Sequence, residues 1–198
     1  MLRKAGKVKE KKVKEKIEKI KEKAERADIW ISTVIYILIG LAVISALLIA
    51  TRPKIEEAKD RYTINYMINA LNSLNGLILD VNEMPGSARL FELKIAKGEL
   101  RIKPQEDKVE WQLGTNFKFS ELNQLISVGT VNLITTQEAG RFITKLFLNY
   151  TEPINITTAI DGEGNELILT QAPTPYKISI KNFGTPLGSV NNTILISA

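Results

Sequence analysis

Residues 29–50, IWISTVIYILIGLAVISALLIA, contain no charged side chain. As an α-helix rising about 1.5 Å per residue, the stretch reaches about 33 Å, enough to cross a hydrocarbon core of about 30 Å. A helix that is apolar on every side needs lipid, a bundle of partners or a protein core around it. A core helix of a soluble protein ordinarily keeps a polar stripe, whereas here Ser32, Thr33, Tyr36 and Ser45 are the polar interruptions. The stretch is therefore predicted to span a membrane. Gly40, Ala42 and Ala46 add small side chains that suit close packing against another helix.

Charge is distributed unevenly about this span. Residues 1–27 hold twelve Lys and Arg against five Glu, while the remainder holds fifteen basic and seventeen acidic residues. A basic segment beside a span stays on the cytoplasmic side, so residues 51–198 are predicted to lie outside. The basic run does not read as a nucleic-acid site: it lacks interleaved aromatics, and glutamates alternate with its lysines. No nucleic-acid partner is expected; the membrane is. Within the run, Val13, Ile17, Ile20 and Ala24 recur at helical spacing, with Glu15–Lys19 and Glu22–Arg26 as favourable pairs. Three readings stand side by side for this tail: a retained cytoplasmic helix, a patch for anionic lipid head groups, or a leader that is removed.

The chain has neither cysteine nor histidine. Thiol nucleophiles, disulfide frameworks, imidazole bases and the usual zinc ligands are excluded together. No phosphate-binding loop, dinucleotide fingerprint or nucleophile elbow occurs. The acidic pairs Glu56-Glu57 and Glu106-Asp107 read as solvated helix and turn positions, so no catalytic set, metal or cofactor is expected and the chain does not read as an enzyme.

Beyond the span, Pro53 suits the first turn of a restarted or kinked helix. Ile55, Ala58 and Tyr62, then Ile64, Ile68, Leu71, Leu74 and Ile78, continue the helical spacing to about Val81. Met84-Pro85-Gly86-Ser87 ends it, and the pattern changes to short strands. ARLFELKI and GELRIK, separated by Ala96-Lys97, are predicted to begin a meander, with VEWQL as its third strand. SELNQLIS reads as a short helix capped by Ser120. VNLITT, RFITKLFLNYT, INITTAI, NELILTQ, YKISIKN and NTILISA read as strands. Asp161-Gly162-Glu163-Gly164-Asn165-Glu166 has oxygen ligands at alternate positions but reads as a hairpin turn rather than a calcium loop. The fold class is therefore α+β: a long hydrophobic helix continuing into an amphipathic one, then an antiparallel sheet or sandwich. The predicted divisions are 1–27, a basic leader or tail; 28–52, the span; 53–83, the amphipathic helix; and 84–198, a β-rich head.

The junction Arg26-Ala27-Asp28-Ile29 places a basic residue and a small one directly before the apolar run. It resembles the class III signal of archaeal type IV pilin-like proteins, and the KGELRI segment is similar to the start of their heads. The resemblance implies that a prepilin peptidase cuts between Ala27 and Asp28 on the cytoplasmic side and leaves the span on the mature chain. It also implies like subunits or other pilins as partners through the hydrophobic helix, and a place in a cell-surface filament as a major or minor subunit. The sequence departs from the family at Ala27, where glycine is commoner, and at Ser32, where bacterial pilins carry glutamate. Asp28 would stand beside the new amino group and offset its charge. The alternative is an unprocessed single-pass protein with an external β domain for binding or adhesion.

Three sequons, at Asn149, Asn155 and Asn191, fall on the predicted exterior and are glycosylation candidates.

Overall fold

The computed structural model describes residues 2–150, 154–159, 164–186 and 188–198, and within them the side chains of 14–23 and of 30 onward. The chain divides into two compact units, Met1–Lys54 and Ile55–Ala198. A single helix, α1 (Leu2–Asn82), enters both, with Pro53 inside it. Of the restart or kink expected at Pro53, the restart is not seen: the helix runs on both sides of it. Proline removes one helical donor, and just upstream Thr51 donates its hydroxyl to the carbonyls of Leu47 and Leu48 at 3.0 and 3.2 Å.

In the second unit α1 is amphipathic. Ile64, Met67, Ile68, Leu71, Leu74, Ile78 and Val81 are buried, recurring every three or four residues along one face. Ile55 and Tyr62 were expected on the same stripe, yet they are 51% and 74% exposed. At about 100° per residue, Ile64 lies about 180° around the helix from Ile55, so the two runs occupy opposite faces.

Among the described residues ten strands follow: β1 (Ala88–Leu93), β2 (Glu99–Lys103), β3 (Lys108–Thr115), β4 (Ile126–Val128), β5 (Val131–Glu138), β6 (Arg141–Asn149), β7 (Ile154–Thr157), β8 (Leu167–Thr170), β9 (Tyr176–Asn182) and β10 (Asn192–Ser197). They form two open sheets, ordered β1-β9-β10-β7 and β4-β5-β6-β3-β2-β8. Pairing between neighbouring strands is antiparallel except for β7 with β10, which is parallel. The inward residues of both sheets and the buried face of α1 share one apolar core, with Trp111, Leu100, Leu146, Ile178 and Ile194 among its members. The α+β class and the long helix followed by a β-rich domain are thus as expected.

Three local expectations fail. β1 and β2 do not form a hairpin: β1 pairs with β9 in the smaller sheet and β2 with β3 and β8 in the larger. Their connection instead crosses from one sheet to the other and ends at Gly98, whose φ of +80° and close approach to the Gln112 carbonyl and the Trp111 ring suit glycine. SELNQLIS is not helical. Ser120 bonds the Thr135 hydroxyl at 2.7 Å rather than capping a helix, Asn123 takes a left-handed φ of 57°, and its N–H donates to the Thr135 carbonyl at 2.8 Å. Sideways pairing with β5 has replaced the local helix. Nor does 158–166 close a hairpin, because β7 and β8 belong to different sheets; Asp161, Gly162 and Glu163 themselves lie outside the described residues.

Candidate membrane and assembly helix

From Trp30 onward α1 is long and apolar enough to cross a membrane, with a mean hydropathy of 2.7 in its most apolar window. None of that window is buried inside the protein. Eleven Ile, Leu and Val side chains between Ile31 and Ile49 are 49% to 68% exposed. If removing the exposed half of each from water gains about 1 kcal/mol, the segment gains on the order of 10 kcal/mol by leaving water. That rivals the whole stability of an ordinary domain, about 5–15 kcal/mol, so an aqueous resting place for this helix is strongly disfavoured. Two hydroxyls are already satisfied along the helix: Ser45 donates to the Leu41 carbonyl at 2.7 Å, and Thr51, just past the span, donates to the Leu47 carbonyl at 3.0 Å.

Arg26, Ala27, Asp28 and Ile29 lie within α1, and their side chains fall outside the described residues. The three sequon asparagines are not brought together. Asn149 is exposed at the end of β6, Asn155 is half-buried in β7, and Asn191 is half-buried just before β10.

Several charged groups of the β-rich unit are held by partners within it. The Arg101 guanidinium holds the Glu99 carboxyl below its ordinary range, over the opposing effect of burial, and Gln112 also donates to it. Burial pushes Glu110 upward, but Lys108 at 2.6 Å and Lys103 at 3.5 Å outweigh it and the net direction is down. Asp107 is raised by burial even though its carboxylate accepts the Ile156 N–H at 2.7 Å. This carboxylate, expected to be a solvated turn position, ties the 3-10 turn Pro104–Glu106 to the edge strand β7. Burial also raises Tyr150 strongly. Among the described residues, no three acidic side chains stand where they could share a metal ion.

Two features escaped the sequence. One is a set of asparagine clasps on α1. Asn72 donates to the Val128 carbonyl and accepts from the backbone and hydroxyl of Thr130. At the helix end, the fully buried Asn182 donates to the Val81 and Asn82 carbonyls at 2.9 and 3.2 Å, and Asn192 donates to the Asn82 carbonyl at 3.1 Å. These are the carbonyls that a helix end leaves without partners. The other is an apolar groove of about 530 Å³ between Ile55, Ala58 and Tyr62 of α1 and Ala96 of the β1–β2 connection, bordered by the Lys97–Asp60 ion pair at 2.5 Å. An asparagine's partner from a remote strand leaves no periodic signal, and the outward stripe of α1 is masked by the inward one.

Compared with family models, curated proteins and solved structures, the chain matches none of them.

Proposed function

We propose that the chain is a type IV pilin-like structural subunit, major or minor, of a cell-surface filament. The observation that carries this reading is one helix that is wholly uncovered and apolar over its span and then enters the core of a β-rich unit. The proposed sequence of events starts with cleavage between Ala27 and Asp28 by a prepilin peptidase at the cytoplasmic face. The span then waits in lipid and passes into a bundle of like helices, so that its apolar surface stays covered throughout. The two sheets are read as the layers of a sandwich-like head held outside the cell.

The single-pass alternative keeps residues 1–27 as a cytoplasmic helix. It is supported by the continuity of α1 from Leu2, which gives the tail and span one uninterrupted backbone. Intact mass and amino-terminal sequencing of protein from the native membrane and sheared surface fractions separate the two. A chain beginning at Asp28, with filaments by electron microscopy, is the expected result. A chain that keeps its lysine-rich tail in both fractions sinks the pilin reading.

A further inference from the structure

Among the described residues both sheets are open, with β1 and β7 at the edges of the smaller and β4 and β8 at those of the larger. These edges are not equally protected. β4, β7 and β8 are three, four and four residues long, and at β7 the Ile156 N–H is already taken by the Asp107 carboxylate. β1 is six residues long with four of them exposed, Leu90 to 64%.

The direction of its backbone groups follows from the ladder. The Asn182 N–H donates to the Ser87 carbonyl at 3.0 Å, so by antiparallel alternation Arg89, Phe91 and Leu93 turn their backbone groups to β9. Across β9, the Phe183 N–H donates to the Thr193 carbonyl of the β10 side at 2.9 Å, which fixes the same phase. The N–H and C=O groups of Ala88, Leu90 and Glu92 therefore point off the sheet. Among the described residues no other segment's backbone bonds to them, and the exposed Arg89 guanidinium alone touches the Ala88 carbonyl, at 3.1 Å. An edge that is long, apolar at its centre and free of proline is a template for another strand.

The strand that fits is β1 of a second copy. Only outward-pointing residues can exchange bonds, so two β1 strands meet antiparallel with Ala88, Leu90 and Glu92 facing one another. With Leu90 opposite Leu90 of the second copy, Ala88 falls opposite Glu92, and Arg89 falls opposite Phe91, whose ring accepts a cation on its face. Centring on Arg89 or Glu92 instead sets like charges against each other, and centring on Phe91 sets Leu90 against Glu92. In the register centred on Leu90, the small Ala88 also lets Glu92 of the second copy reach toward Lys181, the β9 partner of Ala88.

We propose that two copies of this chain pair through β1, antiparallel and centred on Leu90, so that their smaller sheets become one continuous sheet. A two-fold axis closes the pair. It joins β-rich units two by two, separately from any assembly along the apolar helix, and it holds whether or not residues 1–27 are removed.

The chain has no cysteine, so single substitutions report the register without background. The full chain is purified in detergent, with micelles in excess, as Ala88→Cys, Leu90→Cys and Glu92→Cys, and each is mildly oxidised. Leu90→Cys should form a covalent dimer, because bonded antiparallel pairs hold their Cα atoms about 5.5 Å apart, within disulfide range. Ala88→Cys and Glu92→Cys should stay monomeric, since each lies four residues, about 13 Å, from its own counterpart. Leu90→Pro removes an outward N–H and no ladder bond, so it should melt with the parent but sediment at half the parent's mass. A parent that sediments as a monomer, no cross-link at position 90, or equal cross-linking at all three positions overturns the proposal. So does a Leu90→Pro protein that keeps the dimer mass, which would assign the association to the apolar helix; if the proline lowers the melting temperature, the cysteine set decides alone.

Discussion

Replacing Asn182 with alanine removes the donor to the Val81 and Asn82 carbonyls and the acceptor that receives the Gly184 N–H at 2.7 Å. Val81 is 1% exposed and Asn182 is fully buried, so water cannot easily replace the lost side chain. The Val81 carbonyl keeps the Ser87 hydroxyl at 3.1 Å and the Met84 N–H at 3.3 Å, so its loss is partial at about 1 kcal/mol, while the Gly184 N–H, stripped of its side-chain acceptor, costs about 1–3 kcal/mol. The Asn82 carbonyl keeps its bond from Asn192, so its loss is partial. The expected destabilisation is about 2–4 kcal/mol. Asn192→Ala leaves the Asn182 bonds in place and should cost about 1 kcal/mol. Because both asparagines serve Asn82, the double substitution should cost more than the sum, by about 0.5–1.5 kcal/mol, as that carbonyl is stripped only when both are gone. Urea unfolding of the detergent-solubilised chain, followed through Trp111 in a Trp30→Phe background, reads all three. An Asn182→Ala change within about 0.5 kcal/mol of its parent, or strict additivity, would refute the clasp.

Gly98→Ala forces a Cβ toward the Gln112 carbonyl and the Trp111 ring at a φ of +80°, so it should cost about 2–4 kcal/mol in the same assay. Glu110 has a lowered pKa, so its contribution is present above the ordinary carboxylate range and disappears as pH falls through its lowered value. Glu110→Gln should therefore lose about 1–3 kcal/mol at neutral pH, with the gap to the parent closing in acid. Asp107 runs the other way. Its raised pKa means it subtracts stability as pH climbs through the ordinary carboxylate range to its raised value, so Asp107→Asn, which can still accept the Ile156 N–H, should match or exceed the parent at pH 7. That advantage should shrink in acid; a loss of more than about 1 kcal/mol at neutral pH contradicts it. Under the proposed membrane placement, Ile44→Lys puts a charge mid-span at a cost of about 3 kcal/mol and should shift the chain from a carbonate-resistant fraction toward the soluble one.

The long apolar helix and most of the strand positions were legible because each rests on a local pattern. Twenty-two residues without charge admit few structures, and YKISIKN became β9 at its full length because its alternation of Ile with polar residues is itself the strand signal. What pairs with what was not legible. ARLFELKI and GELRIK sit as hairpin partners would in the chain, yet Leu93 and Leu100 enter one core from different sheets. SELNQLIS has a good cap and helical residues, but one bond from Asn123 to β5 and a left-handed φ outweigh a helix too short to hold itself. For the candidate sites, the tripeptides named three asparagines without ranking them, since burial of the Asn191 carboxamide and the abutment of Asn155 with Thr193 arise only when β7 and β10 come side by side.

That interleaving governs how the β-rich unit comes apart as well as how it is built. Neither sheet derives from one continuous stretch: the chain moves from the smaller sheet to the larger after β1, returns for β7, leaves again for β8, and comes back for β9 and β10. Each sheet therefore waits on segments that belong to the other, and Ile178 and Ile194 cannot be covered until residues far upstream are in place. Such long-range closure makes assembly slow and unfolding all-or-none. A nick or a deletion in any one crossing removes support from both sheets at once, so no half of this unit forms a separately foldable fragment.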